Sequence, residues 1–397
     1  MLLDIFLVSG SVDAQDGTAR RAHQLAWLFS EQGHRVRLIG VAPAADGARR
    51  LRTGSDLPYR VSALYDAPPP AAPARARHRL DLPAHRRRRA HERGMRAKAA
   101  ELSALFRGAG EAGGVGGTGG TGGVVVVTEG WALEWVALAD TTGLPVVLMS
   151  HEPYAVTKRS GRFQRLRWLC RQHADRVLAP TRQDADWWIR SWVNHTGVMP
   201  GFLPDAVRDP SPRDRKCVLG IGRLDHDKGP DILLDAWAQV APRHPDWRLR
   251  MYGESSRGAR AREEALHKQC AELGLGASVE WMGFTQDVPG ALREGSVFVL
   301  PSRQEGFPVT PLEAKAAGLP CVAFDVSPGV REIVTDGVDG LLARPGNVDE
   351  LARHIERLMV DRELREQLGD AARESVRRYA PEVVGERWEK LFALLRR

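Results

Sequence analysis

Arg223 and Lys228 lie five positions apart in the segment GIGRLDHDKG, Gly220–Gly229. A guanidinium grips an oxyanion through two parallel N–H bonds, and an ammonium adds a point charge from a second direction. The pair therefore suits an anion with two charged groups, such as a diphosphate. Gly222 and its neighbouring glycines let backbone approach a ligand closely, although the pattern is not the G-x-G-x-x-G dinucleotide fingerprint. Glu305 and Glu313 stand eight positions apart in EGFPVTPLE. A carboxylate in a loop can accept from sugar hydroxyls, and one a turn into a helix can accept from a ribose diol. Two glutamates at such a spacing are common, so the weight rests on their placement. They follow an apolar run, with Gly306 and Pro308 shaping the loop and a helix start near Thr310 offering unpaired N–H groups to an anion.

Three weaker signals accompany these. Gly283, in EWMGFTQD, follows an apolar stretch and would admit a flat base against the backbone. Asp16-Gly17-Thr18 precedes the first helical pattern. His151 follows Val146–Met149 directly, within SHEP. A lone histidine is more often structural than catalytic. Trp188 and Trp192 are spaced i, i+4, which favours core packing over a sugar-stacking platform.

These residues need strands that end where they begin. Short apolar runs at Leu2–Ser9, Arg35–Gly40, Val124–Val127, Val146–Met149 and Arg176–Ala179 read as buried strands, with a helix around Ala19–Gln32 closed by Gly33. The pattern restarts at Cys217–Ile221, Trp247–Tyr252, Val279–Trp281, Val297–Leu300 and Cys321–Phe324, with helices at Pro230–Val240, Ala261–Leu273 and Thr310–Ala317. Asp349–Leu358 and Arg362–Arg397 read as helices. Alternating strands and helices predict an α/β chain with parallel sheets. Two successive halves predict two doubly wound domains, joined where prolines and charges cluster at Pro200–Asp214. The expected domains are 1–203, 204–376, and a terminal helix over 377–397 crossing back to the first. In such sheets ligands bind at the carboxyl ends of strands, and the segments above fall there.

The chain has 397 residues, 43% of them apolar and 27% charged, which excludes disordered, collagen-like and disulfide-scaffold classes. No apolar run reaches 18 residues, and MLLDIFLVSG lacks a basic leader, so neither a membrane span nor a signal peptide is expected. Four scattered cysteines without a CxxC pair suit reduced thiols in a cytoplasm and no zinc site. The net charge of +7 favours anionic partners. Its excess is local: Arg75–Arg96 holds nine arginines against Asp81 and Glu92. That stretch reads first as a solvated helix or loop, and second as a contact with an anionic membrane surface or acceptor. Residues 108–123 are glycine-rich and read as a mobile loop.

Taken together, the chain resembles the GT-B-fold retaining glycosyltransferases of family 4. The matching pieces are GHRV at Gly33–Val36, SHEP at Ser150–Pro153, ADRVLAPT at Ala174–Thr181, GRLDHDKG at Gly222–Gly229, MGF at Met282–Phe284, EGFPVTPLEAKAAGLPCVA at Glu305–Ala323 and REIVTDGVDGLL at Arg331–Leu342. The resemblance implies two Rossmann-like domains facing across a cleft, an acceptor domain first and a nucleotide-sugar domain second. It implies that Arg223 and Lys228 hold the donor diphosphate and that Glu305, with backbone at Gly306 and Phe307, meets the donor sugar. Backbone at Val309 and Thr310 would meet the distal phosphate, Glu313 the ribose, and Gly283 with Phe284 the base. Gly17 and Gly222 would approach the donor, and His151 would lie near the reaction centre. Asp16-Gly17-Thr18 departs from the two glycines usual in the first loop, and Pro200-Gly201-Phe202 replaces the usual linker Asn-Gly.

The implied reaction is transfer of a hexose or N-acetylhexosamine, with a UDP-sugar favoured, to a glycan, lipid-linked or natural-product acceptor. No metal and no cofactor beyond the co-substrate are expected. Nucleic acid is not an expected partner, because Arg75–Arg96 has no interleaved aromatic residues. The expected location is the cytoplasm, including the inner face of the membrane. A UDP-sugar epimerase on the same architecture and a non-catalytic polyanion-binding protein are the rival readings.

Overall fold

The computed structural model describes residues 2–13, 17–43, 57–69, 82–107, 122–203, 210–255 and 260–396. The chain divides into two compact units, Met1–Met199 with Gly385–Arg397, and Pro200–Val384. Each is a parallel α/β sheet of the Rossmann type, and the fold class is the expected one.

The first unit holds β1 (Asp4–Ser11), β2 (Arg35–Ala42), β3 (Arg60–Ala63), β4 (Gly123–Val127), β5 (Val146–Met149), β6 (Arg176–Ala179) and β7 (Thr196–Val198). Their order across the sheet is β3-β2-β1-β4-β5-β6-β7. Every pairing is parallel. The helix Gly17–Glu31 buries Ala19, Ala22, Leu25, Ala26, Leu28 and Phe29 on one stripe. Phe29 meets the rings of Trp388 and Phe392 at 5.2 and 5.4 Å. His34 Nδ1 accepts from the Leu3 N–H at 3.3 Å, so its Nε2–H is the donor to Glu389 Oε1, 2.5 Å away. These contacts fasten the last residues of the terminal helix Pro381–Leu395 to the first unit.

The second unit holds β8 (Cys217–Ile221), β9 (Arg248–Tyr252), β10 (Val279–Gly283), β11 (Val297–Leu300), β12 (Cys321–Phe324) and β13 (Gly340–Ala343), in the order β10-β9-β8-β11-β12-β13. This is the doubly wound order, whose direction reverses between β8 and β11. The central strands β8, β11 and β12 carry continuous apolar runs because helices cover both faces, whereas β9 (RLRMY) and β10 (VEWMG), toward the edge, do not. One face packs Leu249, Met251, Val297 and Val299 against Leu233, Leu234 and Trp237 of the helix Pro230–Val240. The other packs Leu219, Phe298 and Leu300 against Leu312 and Ala316 of the helix Thr310–Ala316.

Several expectations need correction. β3, β7 and β13, all at sheet edges, were not expected; β3 and β7 bury no residue, so no apolar run marks them. The run Arg362–Arg397 is broken into Arg362–Ser375, a 3₁₀ turn at Val376–Tyr379 and Pro381–Leu395; Pro381 cannot donate to a preceding turn. Trp192 does not pack one turn below Trp188. The helix Arg182–Arg190 ends at Ser191, so Trp192 takes a left-handed backbone (φ 66°) and stays 70% exposed, whereas Trp188 is fully buried. The arginine-rich stretch is a helix from Leu82 to Arg107, with residues 75–81 outside the described residues. Most of the glycine-rich segment, 108–121, and linker residues 204–209 also lie outside them. All four cysteines are free and buried, and burial pushes the Cys170 and Cys321 thiols up to about 12. No helix among the described residues is long and apolar enough to cross a membrane.

One buried ion pair anchors the helix Thr310–Ala316. Lys315 is fully buried; its Nζ donates to Asp339 Oδ2 at 2.7 Å and to the Ile333 carbonyl. Asp339 also accepts the Thr335 N–H at 2.7 Å. Removing one partner of a buried pair strands the other charge, at a cost of about 3–5 kcal/mol. Lys315→Ala is expected to lower unfolding stability by that amount in urea titration; a loss below about 1 kcal/mol would show that Asp339 is satisfied without it.

Candidate active site

The loops that leave β8 and β11 meet where the sheet order reverses. The first, Gly222–Gly229, ends in a left-handed residue: Gly229 has φ 67°. A Cβ there would sit 2.1 Å from the Pro301 carbonyl oxygen, so only glycine lets the two loops approach this closely. Pro230 then starts the helix with φ already set and no N–H to satisfy.

Across this contact Lys228 Nζ reaches Glu305 Oε1 at 2.7 Å. Glu305 is only 7% exposed and also accepts from Ser302 Oγ at 2.7 Å. Arg223 is half exposed and is held by Asp225 and, at 3.1 Å, by Asp227. The cations expected to hold a diphosphate are thus gathered at one end of the sheet, each on a carboxylate. Gly222 lies beneath them: its N–H donates to the Tyr252 carbonyl, and a Cβ on Gly253 (φ 136°) would sit 1.8 Å from the Gly222 oxygen.

A second tether was not legible beforehand. Arg303 donates from its backbone N–H to the Asp227 carbonyl at 2.8 Å and from Nη1 to the His226 carbonyl at 2.9 Å. Its guanidinium forks onto both Asp231 oxygens, at 2.8 and 2.6 Å, and Arg262 adds a bond to Asp231 at 3.2 Å. Burial raises the Asp231 carboxyl, but the two guanidiniums outweigh it and hold the group below the usual range. An arginine two positions before Glu305 and an aspartate three after Lys228 mark this clamp in the sequence. Their pairing depends on the loop contact.

The remaining residues of the second unit are arranged around this point. Gly306 is crowded by the helix Pro328–Ile333, where a Cβ on Gly329 would sit 1.7 Å from the Gly306 oxygen. Phe307 is 3% exposed, its ring edge-on to Tyr379 at 5.6 Å, so its side chain belongs to the core. Val309 caps the helix Thr310–Ala316 without a side-chain bond, and Glu313 lies half-buried in its first turn. Gly283 ends β10 at φ 68°, with its carbonyl accepting from Gly253 at 2.8 Å; Phe284 follows, half-buried.

Gly17 and His151 belong to the first unit. Gly17 begins the helix Gly17–Glu31, while Asp16 lies outside the described residues. His151 follows β5, and its Nδ1 stands 2.8 Å from Arg21 Nη1. A guanidinium only donates, so Nδ1 accepts and the proton sits on Nε2. That Nε2 is buried and has no hydrogen-bond partner among the described residues. Burial first, and the Arg21 charge second, hold the imidazole well below its ordinary pKa. This leaves the ring neutral, with its Nε2–H as the donor. Arg21, at the second turn of its helix, gave no signal in the sequence.

Comparisons with known proteins fit this architecture. The UDP complex of Anabaena HepE has the same fold, with a TM-score of 0.75 at 20% identity over 98% of this chain and 100% of that one. A sucrose-phosphate synthase from Thermosynechococcus elongatus gives 0.73 at 21% identity over 99% of both chains. Among curated proteins, an exopolysaccharide phosphotransferase of Streptomyces coelicolor is 34% identical over 264 residues, 65% of this chain and 27% of that protein. A D-inositol 3-phosphate glycosyltransferase of Streptomyces bingchenggensis is 33% identical over 241 residues, 55% of this chain and 51% of that protein. The chain thus spans between a quarter and a half of the length of these relatives. Over residues 205–375, which carry β8–β13 and the Arg223, Lys228, Glu305 and Glu313 side chains, the chain matches the family described as glycosyl transferases group 1.

Proposed function

We propose that this protein is a retaining, metal-independent glycosyltransferase of family 4. It moves a hexose or N-acetylhexosamine from a nucleotide-sugar, UDP-sugar first, to a hydroxyl of a glycan, lipid-linked or natural-product acceptor. The observation that carries the reading is the Lys228–Glu305 contact at the β8/β11 reversal, inside the segment that matches the glycosyl transferase family. Support for the donor comes from HepE, solved with UDP and with UDP-glucose.

In this reading the diphosphate exchanges places with carboxylates already bound to Arg223 and Lys228. Lys228 swings from Glu305 to the phosphates, and Glu305 is left to meet the donor sugar. As the bond from the anomeric carbon to phosphate oxygen breaks, the two cations take up the negative charge that develops on the leaving group. The Glu305 carboxylate faces the positive charge that develops on the sugar. The acceptor oxygen forms its bond on the face the phosphate leaves, which retains configuration, and its proton passes to the departing phosphate. His151 supplies a hydrogen bond from Nε2 and no proton abstraction. Glu313 binds the ribose, and backbone groups at Val309 and Thr310 meet the distal phosphate.

Three outcomes test these roles. Arg223→Ala and Lys228→Ala should each weaken UDP binding by roughly 10- to 150-fold, the worth of one charge-assisted hydrogen bond; calorimetric affinities equal to wild type would remove the clamp. Glu305→Gln should lower kcat of transfer from UDP-glucose by more than its KM changes, whereas Glu313→Gln should raise KM and weaken UDP with kcat kept. The reverse split would exchange the assignments, and two unchanged variants would end both.

The His151 imidazole should stay neutral in NMR titration down through pH 6.5. Its folded pKa lies below the unfolded one, so protons favour the unfolded chain and stability falls as pH drops below about 6.5. His151→Asn should lessen that loss, and a His151 titrating near pH 6.5 would contradict the Arg21 contact.

A further inference from the structure

The helix Leu82–Arg107 divides into two halves. Its C-terminal half buries Ala99, Leu102, Ser103 and Phe106 in the first unit, and Phe106 packs edge-on to Phe6 at 5.0 Å. Its N-terminal half is exposed on nearly every side, with Ala84 its one buried residue. Between Leu82 and Lys98 stand six arginines and one lysine against Glu92, a net of +6 where the whole chain carries +7. Arg88 pairs with Glu92 at 3.0 Å, and Lys98 pairs with Glu101 and lies over the Tyr65 ring. Arg86, Arg87, Arg89, Arg93 and Arg96 have no carboxylate partner among the described residues.

This arrangement works against the helix that bears it. Cations one turn apart, as at Arg86 and Arg89 or Arg89 and Arg93, repel by about 0.2–0.5 kcal/mol per pair. The helix has no acidic residue in its first turn, and its positive end gains nothing from cations placed there. Rules broken without return to the fold point to use by a ligand. Arg86, Arg89, Arg93 and Arg96 fall within about 80° of one another at about 100° per residue, so they form a row along one face, with Arg87 off it. The stretch has no aromatic or leucine stripe of the kind a membrane-bound helix sinks into lipid. It has no aromatic platform for stacked bases either. A flexible chain carrying regularly spaced anions can lie along such a row, which from Arg86 to Arg96 is about 15 Å long at 1.5 Å per residue.

We propose that this helix docks a polyanionic glycan, a sugar polymer bearing carboxylates or phosphates along its length, and that this polymer is the acceptor class. The second statement rests on the glycosyl-transfer reading; the docking does not. The test uses the full chain and polygalacturonate as probe, with dextran as the neutral control, phosphatidylglycerol vesicles and single-stranded DNA as competitors, and affinities read by calorimetry from 50 to 300 mM NaCl. Polygalacturonate should bind and dextran should not, with log K falling linearly in log salt, as counterion release requires. The triple variant Arg86→Ser, Arg87→Ser, Arg89→Ser should bind at least 10-fold more weakly at 50 mM salt with a shallower slope, its melting temperature and UDP affinity unchanged. Equal binding by the variant, no binding of polygalacturonate, or tighter binding of vesicles or DNA would each overturn the docking. If polygalacturonate binds through these arginines while UDP and UDP-glucose bind nowhere, the docking stands and the transfer reading falls.

Discussion

In the second unit, two loops leave neighbouring parallel strands toward opposite faces of the sheet, and the gap they open has to be closed by backbone contact. Gly229 makes that possible. Its left-handed φ and missing Cβ let the Pro301 carbonyl occupy the space a side chain would need. With the loops that close, Lys228 meets Glu305 and Arg303 meets Asp231, four charged groups in two pairs across one seam. The helix that carries Glu313 is pinned from beneath by Lys315 and Asp339. Site geometry in this unit is thus a consequence of sheet order first and of ion pairing second.

The pairs differ in what they can give up. Lys315 and Asp339 are enclosed, and exchanging either for solvent would leave a charge in the core. The Arg303–Asp231 fork is half-buried and shared with backbone carbonyls, which suits a tether. Arg223 stands half exposed on its two aspartates, and such pairs are worth about 0.2–1 kcal/mol. An incoming oxyanion can displace them at little cost. The gradient from enclosed to exposed separates what holds the loops from what is free to change partners.

The first unit uses the same topology for different chemistry. At the end of β5 burial first and the Arg21 charge second keep the His151 ring neutral, and the Arg21 contact fixes its tautomer with the proton on Nε2. The neighbouring His23 is fixed in the same manner: Nε2 donates to the Val12 carbonyl at 2.6 Å, and Nδ1 accepts from Tyr59 at 2.7 Å. Charge is withheld from these rings and concentrated on the outside, along Leu82–Lys98.

The strands and the residues at their ends were legible in the sequence, because a buried parallel strand is a short apolar run and the segment after it is marked by glycine, proline or charge. That pattern sufficed for two α/β units and for the candidate residues Arg223, Lys228, Glu305, Glu313 and His151. Edge strands such as β3 and β7 were not legible, since they bury no residue and so carry no apolar run. Nor was the exposure of Trp192, which turns on the helix stopping one residue earlier. The partners Arg303–Asp231, Lys315–Asp339 and Arg21–His151 were decided only by the tertiary structure. They join residues 72, 24 and 130 positions apart, and a charge in a sequence does not announce which distant charge the fold will bring to it.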